Sequence, residues 1–172
     1  MAIPEPIDDP SPADYLALIS RAVFQAGLRW ASIEAKWAAY ERLFANFDPE
    51  AVARFDEFDI DRIASDARIV RTRKKVAATV ENARTLLALA AQHGSFRSYL
   101  RSFGSYEALS ADLQGRFKFL GELSAYYVLF RAREPVPAFE TWEKTIPGDH
   151  PRMREMVALA HERGRASEPR AD

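Results

Sequence analysis

With 172 residues, 48% apolar and 28% charged, the chain has the size and balance of one globular domain able to bury a core. It has no cysteine, which excludes disulfides, thiolate metal centres and a cysteine nucleophile; its three histidines (His93, His150, His161) lack ligand spacing, so neither metal nor cofactor is expected. A formal net charge of −1 leaves any polyanion contact to a local patch, no apolar run approaches the roughly 20 residues of a membrane span, and the acidic, Pro-rich start carries no secretory signal, so a cytoplasmic protein away from membranes is expected.

Residues 1–10 read as a flexible segment ahead of a single domain over 11–164, with 165–172 a frayed tail. Ser11, Pro12 and Asp14 supply an N-cap, a first-turn proline and an acidic N3 residue. Tyr15, Leu18, Ile19, Ala22 and Ala26 then mark one apolar helix face, which Gly27 ends. A second helix is predicted over about 32–45, with Trp37, Tyr40, Leu43 and Phe44 inward. Asp48-Pro49-Glu50 opens a short helix through Arg54, and Asp56 starts another that buries Phe58, Ile60 and Ile63.

Residues 72–92 predict the longest helix, with Val76, Val80, Ala83, Leu87 and Ala91 as its stripe and His93-Gly94 as its close. Short helices follow over 96–103 and 106–113, and a glycine-bracketed turn, Gln114 to Gly121, leads into an apolar helix over 123–131. Pro135 and Pro137 stop that helix, and 153–163 predicts a last amphipathic one. No strand pattern or repeat is present, so the fold class is all-α, a set of short, capped helices packed at steep angles.

Two segments have the make-up of a nucleic-acid contact. The turn at 114–121 precedes a helix whose first N–H groups would hold an anion, with Gly115, Arg116, Phe117, Lys118 and Gly121 around it; the plain alternative is a helix connection, with Phe117 and Phe119 as core anchors. In Gln25-Ala26-Gly27-Leu28-Arg29-Trp30, Gly27 permits a sharp turn that would present Leu28 as a wedge between bases, and Trp30 a flat stacking surface; alternatively both side chains seal the core. Residues 62–75 hold six basic side chains against one acidic, which reads equally as a solvated helix face. Glutamates such as Glu34, Glu41 and Glu122 show no pairing that would single out a general acid.

Taken together, four segments resemble the DNA-3-methyladenine glycosylase I family of the helix-hairpin-helix superfamily. FQAGLRW (24–30) resembles its QQAGLSW-type segment, and FANFDPEAVARF (44–55) its F-x-x-FDP-x-x-VA stretch. DARIVRTRKKVAATVENAR (66–84) is similar to its D-x-x-I-x-R-x-R-x-K run ending in NAR, and FKFLG (117–121) to its GFKFVG hairpin. The resemblance implies an orthogonal helix-hairpin-helix glycosylase fold, and a monomer acting on double-stranded DNA with a damaged base. It implies hydrolysis of the N-glycosidic bond of an alkylated, 3-methyladenine-like base after base flipping. Ala22, Gln25 and Trp30 would form the base pocket, Gly27 and Leu28 the wedge, and Gly115 to Gly121 the phosphate clamp.

The departures are as specific. Where the family carries a pocket glutamate this chain has Ala22, losing a carboxylate that would favour a cationic base. The family's zinc-binding Cys and His residues have no counterpart, nor does its N-terminal segment with a pocket tyrosine. Residues after Arg133 do not resemble the family's ending. A non-catalytic, lesion-sensing relative is therefore the alternative expectation.

Overall fold

A computed structural model describes residues 3–166. Among these residues there are ten α-helices, two single turns of 3-10 helix and no strand. Helix α1 (Pro12–Gln25) is started by a reciprocal capping box: Asp14 N–H donates to Ser11 Oγ at 3.1 Å, and Ser11 N–H to Asp14 Oδ2 at 2.8 Å. Its buried residues include Leu16, Ile19, Ala22 and Phe24, whereas Ala26 lies past the helix end and is exposed, because the backbone has already turned out of the helix there.

Helix α2 spans Trp30–Leu43, two residues earlier than its spacing predicts at both ends. It starts early because the Leu28 and Ser32 N–H groups bond back to Gln25 and Arg29 carbonyls, closing the loop without a capping side chain. It ends early because Ala45, Asn46 and Phe47 all adopt left-handed φ, from 51° to 57°. Each such residue costs roughly 1–2 kcal/mol. Burial of Phe47, stacked on Trp37 (5.0 Å, 8°) and Phe44 (5.4 Å, 12°), opposes that cost.

Helices α3 (Pro49–Ala53) and α4 (Glu57–Ala64) start on the side chains of Asp48 and Asp56. Phe58, expected inside, is 75% exposed. It sits two residues, or about 200°, from Ile60, so α4 cannot bury both on one face. Helix α5 (Arg73–His93) is the central rod, packed against α1, α3, α4 and α6 (Phe96–Leu100). Its stripe begins as predicted with Val76, Val80 and Ala83, then passes to Leu86 and Leu89. Leu87 is only half-buried and Ala91 exposed, because α6 folds back on the other side of this end.

Helix α7 (Tyr106–Arg116) runs three residues beyond the predicted Leu113, its last turn supported by an Arg116–Asp112 bond of 2.7 Å. The connection to α8 (Glu122–Arg131) is thereby reduced to Phe117–Gly121. Beyond α8 the chain forms α9 (Phe139–Trp142), which proline spacing concealed, and α10 (Pro151–Ala166). Trp142 is buried and stacks on Tyr126 at 4.2 Å, joining this segment to the core.

The segment 3–10 is tied to the end of α8: Ile7 N–H donates to the Arg131 carbonyl at 2.7 Å, and Arg131 Nε to the Glu5 carbonyl at 3.1 Å. Of the tail expected at 165–172, residues 167–172 lie outside the described residues. No helix among the described residues is long and apolar enough to cross a membrane.

Candidate functional site

The α1–α2 loop is built as its sequence predicts. Gly27 holds φ at +75°, a conformation L side chains rarely adopt, and lets the chain reverse directly after Gln25. Leu28 is 41% exposed at the tip, and Trp30 is half-buried as the first residue of α2. Lys75, from α5, ties the loop down by donating from Nζ to the Ala26 carbonyl at 2.7 Å. Partial burial lowers the pKa of its ammonium.

This loop forms one wall of a cavity of about 260 Å³, to which Ala22, Gln25, Gly27, Leu28 and Trp30 all contribute. The opposite wall is Leu123, Ser124 and Tyr127 of α8, with His150 from the loop before α10. Trp30 meets Tyr127 edge to face, at 5.3 Å and 78°. The Tyr127 hydroxyl accepts from Arg131 Nη1 at 2.9 Å. Nearby, the Arg21 guanidinium lies 4.4 Å over the Trp37 ring, and burial lowers its pKa.

Gln25 is the unpartnered residue of the cavity lining, while outside the lining both oxygens of the buried Glu34 carboxylate also lack a hydrogen bond. Gln25 is 4% exposed, and neither its amide nitrogen nor its amide oxygen has a hydrogen-bond partner. Two unsatisfied buried polar atoms are costly, at about 1–3 kcal/mol each, and point to a group that completes them. No carboxylate lines the cavity. Glu34, one turn along α2 from Trp30, is outside the lining and faces Arg152 at 3.8 Å.

The hairpin lies beside the cavity. A shallower opening of about 570 Å³ shares Ala26, Gly27, Leu123 and Ser124 with it and continues over Phe117, Phe119 and Gly121. Phe117 is a buried anchor, but Phe119 is 51% exposed at φ +57°, contrary to the core role expected for it. The short connection turns it outward. Asn82, 1% exposed on α5, fixes the hairpin backbone: Lys118 N–H donates to its Oδ1 at 2.7 Å, and its Nδ2 donates to the Lys118 carbonyl at 3.2 Å. Gly121 begins α8 without a side-chain cap, so no capping side chain occupies the first N–H groups of that helix, whose first turn carries Glu122.

Gly115 and Arg116 stand apart from this backbone, in the last turn of α7, with Arg116 engaged by Asp112. Three of the six basic residues at 62–75 are ion-paired: Arg62 with Asp59, Arg68 with Asp66, and Arg73 with Glu57 and Asp61. The hydrogen bonds from Arg68 hold the Asp66 carboxyl down at about 2. Asn82 and Lys75 lie in the family-like run at 66–84, which by itself assigns them no role in the site, and Tyr127 and His150 carry no local motif. The first three sit within helical patterns that read as core or surface, and His150 reads as an ordinary surface histidine.

The chain matches the family model described as methyladenine glycosylase over residues 11–119, more than half its length. Among curated relatives, it is 32% identical to a DNA-3-methyladenine glycosylase of Haemophilus influenzae, covering 52% of this chain and 48% of that one. It is also 32% identical to DNA-3-methyladenine glycosylase 1 of Escherichia coli, covering 59% of this chain and 66% of that one. The chain thus spans about half of the first relative and just under two thirds of the second. Among solved structures, 3-methyladenine DNA glycosylase I from Staphylococcus aureus superposes with a TM-score of 0.65 at 32% identity, over 74% of this chain and 78% of that one. A solution structure of a 3-methyladenine DNA glycosylase I gives 0.61 at 29% identity, over 76% and 79%. An all-α fold, the ordered motifs and the matched span agree, and the chain belongs to the methyladenine glycosylase family.

Proposed function

We propose that this protein is a DNA glycosylase that binds double-stranded DNA as a monomer, flips out an alkylated base and hydrolyses its N-glycosidic bond. One observation carries the reading: wedge, stacking ring, buried amide and hairpin backbone all border one continuous surface. Leu28 enters the duplex where the base leaves, and replaces its stacking. The flipped base enters a cavity whose 260 Å³ suits a single base rather than a whole nucleotide, and stacks on Trp30. The backbone of Phe117–Gly121, held by Asn82, takes a phosphate at the start of α8. The glycosidic bond then breaks with its electrons leaving on the base, and water adds at C1′.

Base release and affinity, measured together, test this reading. The protein is expected to bind a duplex containing an abasic-site analogue more tightly than undamaged duplex, and to release bases from methylated DNA. Tight analogue binding with no base released from any damaged duplex would favour the second reading, a lesion-sensing protein without catalysis. The absence of a carboxylate from the cavity lining motivates that alternative.

A further inference from the structure

The base-binding cavity has features that select among damaged bases. Its polar content is an uncharged amide, a phenol, a serine and an imidazole, with no carboxylate. The charges just outside are mostly positive: Lys75 on the Ala26 carbonyl, Arg131 on the Tyr127 hydroxyl, and Arg21 nearby. The Glu34 carboxylate, buried and without a hydrogen bond, lies outside the lining with Arg152 at 3.8 Å. A cationic base entering here is desolvated without a counter-ion. The Gln25 amide instead offers one donor and one acceptor side by side, both buried and unpartnered, the pattern that pairs with the edge of a neutral purine.

An uncharged base is a poor leaving group and needs a proton. The His150 imidazole is the proton donor the cavity offers, and the loop carrying it is shaped around it. Its Nε2 is 3.0 Å from the Pro147 carbonyl, which fixes the ring and leaves Nδ1 as the second N–H of the imidazolium. Gly148 has φ +97°, and a Cβ there would approach the imidazole at 3.4 Å. Arg154 braces the loop through Asp149 and Glu143, at 2.9 and 2.7 Å. The charged groups of this surround are Asp149, held by Arg154, and Arg152, facing Glu34; Tyr127 of α8 and Trp30 of α2 share the cavity with the ring.

We propose that the cavity takes an uncharged damaged purine, read by Gln25 and protonated by His150 as it leaves. The proton passes from the imidazolium to a ring nitrogen of the base, and the C1′–N bond breaks with its electrons moving onto the base. Water then adds to C1′, losing a proton to solvent, and His150 is reprotonated from solvent. The proposal rests on the glycosylase reading above.

Single-turnover base release separates the two claims. Duplexes bearing hypoxanthine or N6-methyladenine supply uncharged bases, and methylated DNA supplies cationic 3-methyladenine. Wild type is expected to release an uncharged base, with a rate that falls as pH rises. His150→Ala is expected to slow that release by about 100-fold or more and flatten its pH profile, a loss at least about tenfold larger than its loss of 3-methyladenine release. Gln25→Leu is expected to weaken binding of the uncharged lesion about tenfold. Urea midpoints of both variants are measured alongside, and His150→Gln, which keeps polarity without the acid, repeats the loss. Release of 3-methyladenine alone by wild type overturns this proposal and leaves the glycosylase reading standing, and so does an equal loss on both substrates in His150→Ala. Failure to release any base, with no preference for the abasic-analogue duplex, overturns the glycosylase reading as well.

Discussion

The two walls of the cavity have different origins. The α1–α2 wall, Ala22 to Trp30, lies inside the span that matches the family model and is made by a local device, a glycine turn between two helices. The opposite wall, Tyr127 and His150, lies beyond residue 119, and its His150 loop is placed by long-range packing of α9 and α10. The family span therefore carries the proposed wedge and stacking ring, whereas Tyr127 and His150, which face them, come from outside it.

That contrast makes the C-terminal segment a structural part of the domain. Trp142→Ala is expected to cost about 3–5 kcal/mol in urea unfolding, because it removes a buried indole stacked on Tyr126. A loss below about 1 kcal/mol would show that the segment merely covers the surface. On the other wall, Trp30→Ala should act on function more than on folding, since the ring is half-buried. Its base release is expected to fall roughly 10–100-fold, the size of about 1–3 kcal/mol of stacking. Equal release by this variant would remove Trp30 from the site.

Asn82→Ala tests how the hairpin is held. Loss of both amide bonds to Lys118 is expected to cost about 1–3 kcal/mol and to weaken duplex binding, read by urea unfolding and by titration. The smallest effect concerns pH. Burial raises the Tyr106 hydroxyl from 10.0 to about 12, beside Trp142 and Tyr126. The unfolded chain then loses its proton first, so this contribution is intact below about pH 10 and is lost as pH rises towards 12. Tyr106→Phe should flatten the fall in melting temperature over that interval.

Much of the fold was legible because its signals are local. Ser11, Asp48 and Asp56 cap as their positions imply, and Gly27 and Gly94 end helices at positive φ. The errors arose where a neighbour decides. Periodicity cannot tell that packing buries Leu86 and Leu89 rather than Leu87, or that α4 turns Phe58 to solvent. The candidate site divides in the same way. Gln25, Gly27, Leu28 and Trp30 are contiguous and readable as a loop, while His150 is 120 residues from Trp30 and reaches the cavity only through the packing of Trp142 and the bracing of Arg154. Position 22 was legible as a missing carboxylate; the unpartnered amide of Gln25 was not, because a sequence does not show which polar atoms are buried.

The most direct test of a cavity with two walls is a backbone-amide NMR titration with a duplex carrying an abasic-site analogue, followed by addition of free base. Shifts are predicted in three places together: Gln25–Trp30, Phe117–Gly121 and Gly148–His150, the last strengthened when the base fills the cavity. Changes confined to the first two segments, with Gly148–His150 unmoved by base, would contradict the account.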